Sequence, residues 1–462
     1  MKEKVVLVGA GSAMFTRGLV ADIIRQKWEG EIALVDVSSD ALGIAEGLTR
    51  KMLQAGKSQI RLTASTDRRE VLKGATAVIT TIGVGGRRAW EQDVFVPRKF
   101  GIYQPVGDSV MPGGTSRALR MIPALVDIAK DVHDLAPDAL FFNYSNPMSP
   151  VCRGVRKATG ANIIGLCHGV FHVGHYLEDV LELERNSLNY TAVGMNHLTW
   201  FVEMSVGGKD MMPALMAEAK RRTKKHVDAE KLGKRFEEAG TSGRGDAVPT
   251  EDNPFSWRLC LLFGAFPAVL DRHVAEFFPW MFSAKGAYYG GTLGVDGYSI
   301  EAVIANGDRI FDEMRKTAHS KKPLNDDFLK STSGEHEQVT DIIRNIRSGA
   351  GTVYSANLPN RGQAPNLPYD AVIECPAIAS GGALKAIQQK PLKPAIAGTL
   401  ASRFQWVETV VEAALEGSRD KFVQALILDG SVTSVEIAEK LADDLLAAQA
   451  EYLPQFKRNG GK

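Results

Sequence analysis

The sequence predicts an α/β fold: a doubly wound, mostly parallel sheet in the first part of the chain, followed by a smaller α+β half. Three observations carry this. The continuous apolar run at residues 5–8 and the strand patterns at 32–35 and 77–82 suit strands buried on both faces. Segments of 3.6-residue periodicity lie between them, as repeated βα units require. Near residue 190 the texture changes to β-rich runs close enough together to pair antiparallel.

The elements follow in order. Residues 5–8 form the first strand, and 14–24 a helix with Phe15, Leu19 and Ile23 on one face. Residues 32–35 are the second strand, closed by Asp36, and 41–53 the second helix. The run 77–82 is a strand that ends at Gly83. A long helix spans 115–135, then come strand 140–144, helix 149–158 and strand 163–166. Short crossovers of this kind wind in one hand and build a parallel sheet. Residues 189–193 and 199–206 are antiparallel strands, whereas 207–250 are charged and suit a loop or an exposed helix. Two short extended runs follow at 352–356 and 371–374, and the last fifty residues hold two amphipathic helices. The domain boundary falls near residue 195, giving a cofactor-binding part, 1–195, and a catalytic, substrate and oligomerisation part, 196–462.

Composition narrows the function. The 462 residues carry 55 Lys and Arg against 54 Asp and Glu, with no basic block, which argues against a nucleic-acid partner. No apolar run reaches bilayer length, and the first apolar stretch is too short for a signal peptide, so the expected compartment is the cytoplasm and no membrane partner is expected. Cys152, Cys167, Cys260 and Cys375 form no CxxC pair, which excludes zinc-finger chemistry.

Two constellations carry chemistry. Gly9-Ala10-Gly11-Ser12 links the first strand to the first helix, the setting of a Rossmann-type dinucleotide turn. Gly9 allows the tight turn, Gly11 lets the backbone approach a pyrophosphate, and the helix start offers amides to it. Met14 stands where a third glycine is usual. Asp36 ends the second strand, where an acid bonds the ribose hydroxyls of NAD and repels the 2′-phosphate of NADP. Gly83 ends a strand expected beside the nicotinamide half; a plain loop is the other reading. The second constellation is Cys167 at a strand end and His197 thirty residues on. A thiolate and an imidazole converging on one cleft can hold a divalent cation and leave positions open for substrate. Spacing alone equally allows a buried cysteine and a hydrogen-bonded core histidine.

Several segments, in order, give the chain a strong resemblance to the NAD- and manganese-dependent glycoside hydrolases of family 4. They are Gly9-Ala10-Gly11-Ser12 with Phe15; Gly107-Asp108-Ser109 with Pro112-Gly113-Gly114; Asn143-Tyr144-Ser145-Asn146-Pro147-Met148; Cys167-His168-Gly169-Val170-Phe171; Gly194-Met195-Asn196-His197; and Asn357-Leu358-Pro359-Asn360 with Asn366-Leu367-Pro368. The resemblance implies a lactate/malate dehydrogenase-like fold with an added substrate half. It also implies NAD and a divalent metal, manganese, as cofactors, a sugar or oligosaccharide as substrate, and a homodimer or homotetramer. The implied reaction oxidises the sugar at C3, removes the C2 proton, eliminates the aglycone, adds water and reduces C3 again, so the two-carboxylate scheme of most glycosidases does not apply. Cys167 and His197 match the metal ligands and Asn146 the substrate-binding asparagine. Asp271 is the expected C2 base, an ion pair with Arg272 or a helix cap being its other readings. Asp108 and His168 are the expected leaving-group acids. The segments 101–108 and 271–277 most resemble α-galacturonidases, with α-glucuronidase and α-galactosidase as alternatives. A uronate calls for a guanidinium, for which Arg272, Arg117 and Arg120 are candidates. A plain NAD-dependent sugar dehydrogenase is the rival of another class.

Overall fold

The computed structural model describes residues 1–224, 253–281, 300–324, 328–329, 332 and 337–457. Part of the charged stretch 207–250 lies outside them; within them fall a helix at Met212–Thr223 and a short strand at Lys209–Asp210. Six strands are parallel: β1 (Lys2–Val8), β2 (Glu29–Val35), β3 (Arg61–Ser65), β4 (Ala77–Thr80), β5 (Leu140–Asn143) and β6 (Ile163–Gly165). Their order, β3-β2-β1-β4-β5-β6, is that of a dinucleotide-binding sheet made of two βαβαβ halves. Alternate residues of β1 serve opposite faces. Val6 and Val8 join one core with the helix Met111–Leu135, and Val5 and Leu7 join another with the helix Thr16–Arg25.

The same sheet continues without a break into antiparallel strands. These are β7 (Asn189–Met195), β8 (Leu198–Val206), β9 (Lys209–Asp210), β10 (Phe266–Ala268), β11 (Val353–Pro359), β12 (Val372–Ser380) and β13 (Ala383–Ala386). Beyond β6 the order is β11-β12-β7-β8-β10. Residue 195 therefore falls at the turn of the β7–β8 hairpin, and β11 and β12 wedge between β6 and β7.

One row of paired residues crosses eleven described strands: Ser65, Val35, Val8, Thr80, Asn143, Gly165, Asn357, Glu374, Gly194, Thr199 and Ala268. It runs along the C-terminal ends of the parallel strands, where open α/β sheets bind ligands. Five of its members, Thr80, Asn143, Asn357, Glu374 and Thr199, are polar and buried. Such groups need partners, and the Thr80 hydroxyl donates to Asn143 Oδ1 at 2.9 Å.

Several elements differ in extent from expectation. The first helix starts at Thr16, because Ser12 Oγ accepts from the amides of Met14 and Phe15 at 3.3 Å each and holds them in a turn. The long helix starts at Met111 and includes Pro112 in its first turn. Its Gly113 and Gly114 let it press against the preceding loop: a Cβ there would lie 2.6 Å from Gly107 O and 2.4 Å from Ser109 C, respectively. The helix Gly86–Arg98 was not expected at all. Its buried face, with Ala89, Val94 and Val96, is interrupted by Asp93, which is paired with buried Arg120 and bonded by Gln449 Nε2 at 3.0 Å. Among the described residues, no helix is long and apolar enough to cross a membrane.

Candidate active site

The dinucleotide turn has the shape its glycines require. Gly9 adopts φ +95°, and a Cβ on it would lie 2.8 Å from Ile82 N. A Cβ on Gly11 would meet Ala41 Cβ at 2.6 Å and Asp36 Oδ2 at 2.8 Å. The amides of Gly9 and Ala10 both donate to Val35 O, at 2.8 and 2.9 Å, which ties the turn to the end of β2. Asp36 receives the Gly11 amide at 2.8 Å and the Ser38 amide at 2.9 Å. On the other side, the Thr81 hydroxyl donates to Gly9 O at 3.0 Å, and Gly83 follows two residues on, exposed. Gly9, Gly11, Ser12, Asp36 and Gly83 thus gather just past the C-terminal ends of β1, β2 and β4, at one end of the sheet.

Next to it, a second group converges from three parts of the chain. Ligand atoms of Asp108, His197 and His273 all lie within 4.8 Å of one another. The Gly-Gly helix start brings in Asp108, the β7–β8 turn brings in His197, and the short helix Leu270–Val274 brings in His273. Ser109 Oγ is 2.7 Å from His197 Nδ1 and donates to Asp108 Oδ1 at 2.8 Å. The two imidazole rings lie 4.1 Å apart. Burial opposes charge on Asp108, but His197, His273 and Arg117 outweigh it and hold the carboxyl down to about 2. Burial lowers His197 to about 4, and His273 well below its ordinary value. At neutral pH the set is one carboxylate and two neutral imidazoles, the ligand forms of these side chains.

Cys167 leaves the end of β6 beside this group, its sulfur accepting from Gly169 N at 3.4 Å. Burial, with Glu374 nearby, pushes its thiol up to about 12. It is therefore protonated at neutral pH in the free protein, and a metal ion binding there must displace that proton.

The remaining expected residues divide. Asn146 Nδ2 donates to Asp108 Oδ2 at 3.0 Å, and Arg117 Nε donates to Asn146 O at 3.1 Å, so both border the cluster. Arg272 is half-buried, within electrostatic reach of His197 and His273. His168, half-buried at the start of the helix Gly169–Val180, reaches the same two imidazoles and lines an adjoining cavity of about 970 Å³. Arg120 is held away by Asp93. Asp108 lies within the cluster, its ionised form favoured. Asp271 is buried two residues before His273, and its two oxygens accept the Phe255 and Ser256 amides at 2.9 and 2.7 Å, capping the helix Pro254–Phe263. Each oxygen keeps a second lone pair, so the cap leaves Asp271 able to accept a further hydrogen bond.

Sequence reasoning missed His273 and Glu276. His273 sits two residues past Asp271, where a five-residue helix gives no periodic signal. Glu276 is buried, and its Oε1 accepts the amides of Val106 and Gly107 at 2.8 Å each, fixing the loop that carries Asp108.

The model of the family 4 glycosyl hydrolases matches residues 4–183, and that of their C-terminal domain matches residues 192–432. An α-glucosidase of Erwinia rhapontici is 31% identical, the match covering 99% of this chain and 100% of the relative. An α-galacturonidase of Thermoanaerobacterium saccharolyticum is 30% identical over 98% of this chain and 97% of the relative. The crystal structure of a 6-phospho-α-glucosidase from gut microorganisms, in complex with NAD and Mn2+, shares the fold with a TM-score of 0.81 at 17% identity, covering 98% of this chain and 100% of that one. The chain belongs to the family 4 glycosyl hydrolases.

Proposed function

We propose that this glycosidase cleaves α-linked uronides, with α-galacturonides first, using NAD and a divalent cation, manganese by analogy. The observation that carries the reading is the Asp108–His197–His273 cluster, with Cys167 beside it, next to a dinucleotide turn. Both cofactors fit the residues present. The turn is bare where a Cβ would fill it, and the cluster offers oxygen and nitrogen donors suited to a first-row divalent ion. Gly9, Gly11, Ser12, Asp36 and Gly83 would hold NAD; Cys167, His197, Asp108 and His273 would hold the cation. Bound there, the cofactors supply hydride acceptance and Lewis acidity toward a sugar carbonyl.

The chain's own groups do the rest. Asn146 and Arg117 orient the sugar, whose hydroxyls need donors and acceptors at the crevice edge. Arg272, beside the two imidazoles, receives the uronate carboxylate, because a guanidinium pairs with it in a fork. His168 faces both the cluster and the open cavity, which suits it to pass a proton to the departing group. Asp108 stays ionised and serves as a ligand.

Hydrolysis of p-nitrophenyl α-galacturonide, α-glucuronide and α-galactoside, each with and without NAD, Mn2+ and a thiol reductant, tests this. Cleavage needing both cofactors is expected, with the uronide preferred roughly tenfold or more over the neutral hexoside. Equal rates on the two would end the uronate assignment. NADH accumulating from a free sugar, with no glycoside cleaved, would make the protein a dehydrogenase.

A further inference from the structure

Glu374 lies within the sheet on β12 and is 1% exposed. Ionisable groups are almost never buried so fully unless something pairs with them. Its Oε2 accepts from Asn196 Nδ2 at 3.2 Å and from Thr199 Oγ1 at 3.0 Å, while its Oε1, also buried, makes no hydrogen bond. Both of those donors belong to the β7–β8 hairpin, and Ser355 of β11 is its other polar neighbour.

The two donors bracket His197. Asn196 and His197 form the two-residue loop between the paired Met195 and Leu198, and His197 sits there at φ +66°. A left-handed histidine persists only where its surroundings hold it. Gly194 pairs with both Glu374 and Thr199, and a Cβ on it would lie 2.3 Å from Leu198 O, so the hairpin there closes tightly. The Asn196 amide also lies against Cys167, where it favours the ionised sulfur. A single buried oxygen therefore stands behind the two candidate ligands, which leave the sheet from β6 and β7.

We propose that Glu374 is a positioning residue of the cation site, holding the turn that aims His197 and the amide that faces Cys167. It touches neither substrate nor cofactor. The inference rests on the assignment of His197 and Cys167 as ligands.

Mn2+ titration of the full-length protein, followed by the electron paramagnetic resonance of free Mn2+, tests it without any turnover. Outer partners of metal ligands typically contribute about 10- to 100-fold in affinity. Glu374→Leu, similar in bulk but without an acceptor, is expected to bind Mn2+ about 10-fold or more weakly. Glu374→Gln keeps an acceptor oxygen for both donors and should stay within about threefold of the parent. A folded Glu374→Leu protein that binds within threefold of the parent overturns the proposal. Should Glu374→Leu fail to fold, Thr199→Val decides: it removes one donor at constant volume, about threefold weaker binding is expected, and unchanged affinity overturns the proposal. His197→Ala separates the two levels. If it binds Mn2+ like the parent, the ligand assignment fails and the proposal with it; if it loses Mn2+ while Glu374→Leu does not, only the proposal fails.

Discussion

Asp108 and Glu276 are neighbours with opposite fates. Against its burial, His197, His273 and Arg117 hold Asp108 at about 2, whereas burial lifts Glu276 to about 8 even though two amides favour its charged form. Environments that drive two carboxyls apart let each take a different role at one pH. For Glu276 the folded value lies above the ordinary 4.5, so the fold favours the protonated form. Its contribution is complete below pH 4.5 and is lost as pH rises through 8. Glu276→Gln stays neutral and can still accept the Val106 and Gly107 amides. It should match the parent at pH 5 and exceed it above pH 8 by on the order of 2 kcal/mol in urea denaturation. Parallel stability profiles from pH 5 to 9 would show that Glu276 does not titrate in this way. His273 offers a second check. As a third nitrogen or oxygen ligand, its loss in His273→Ala should weaken Mn2+ binding about tenfold without changing the NAD affinity measured by fluorescence. Equal Mn2+ affinity would remove it from the ligand set.

The helix Pro254–Phe263 gives Asp271, the expected base, a structural duty as well. Its N-terminus follows Asn253 at φ +28°, whose side chain makes no cap bond to it, and Asp271 supplies the missing acceptors. Asp271→Ala should therefore lower stability by about 2 kcal/mol, and Asp271→Asn, which keeps one acceptor, by about 1. If Asp271→Asn instead left thermal stability unchanged and lowered kcat a thousandfold, Asp271 would be the base after all. This case also marks where the sequence was legible. Glycine turns, strand runs and the long helix were readable because local chemistry dictates them: Gly9 and Gly11 permit a backbone approach that no other residue allows. The helix Gly86–Arg98 was not readable, since its buried Asp93 answers to Arg120 and Gln449, far away in sequence. Cys167, His197, Asn146 and Asp108 were found through the segments that carry the family resemblance. His273 and Glu276 lie inside one of those segments, but their roles come from contacts with residues 106–108 and 197, which no local pattern displays.

The row from Ser65 to Ala268 bears on how the chain folds as a unit. A division near residue 195 would give two domains of separate stability. The row denies them separate sheets: Gly165 pairs with Asn357, and Glu374 with Gly194, so strands from beyond residue 350 seal both β6 and β7. The core is shared as well, since Val8, Val35 and Phe141 belong to one cluster with Val372, Trp406 and Val410. Ion pairs such as Arg153 with Glu408 and Arg347 with Glu3 tie the same parts at the surface. Removing the later part would leave β6 as an open edge with a bared apolar face, which a stable domain does not present. Calorimetry of the full chain should then give a single transition, with a calorimetric enthalpy close to the van't Hoff value. NAD and Mn2+ should each shift that one transition upward, by about 2.7 kcal/mol at a hundredfold excess over Kd, because both sites border the same row. Two resolved transitions, one moved by NAD and the other by Mn2+, would establish two independent domains, and the row would then be a contact between them rather than the frame on which both are built.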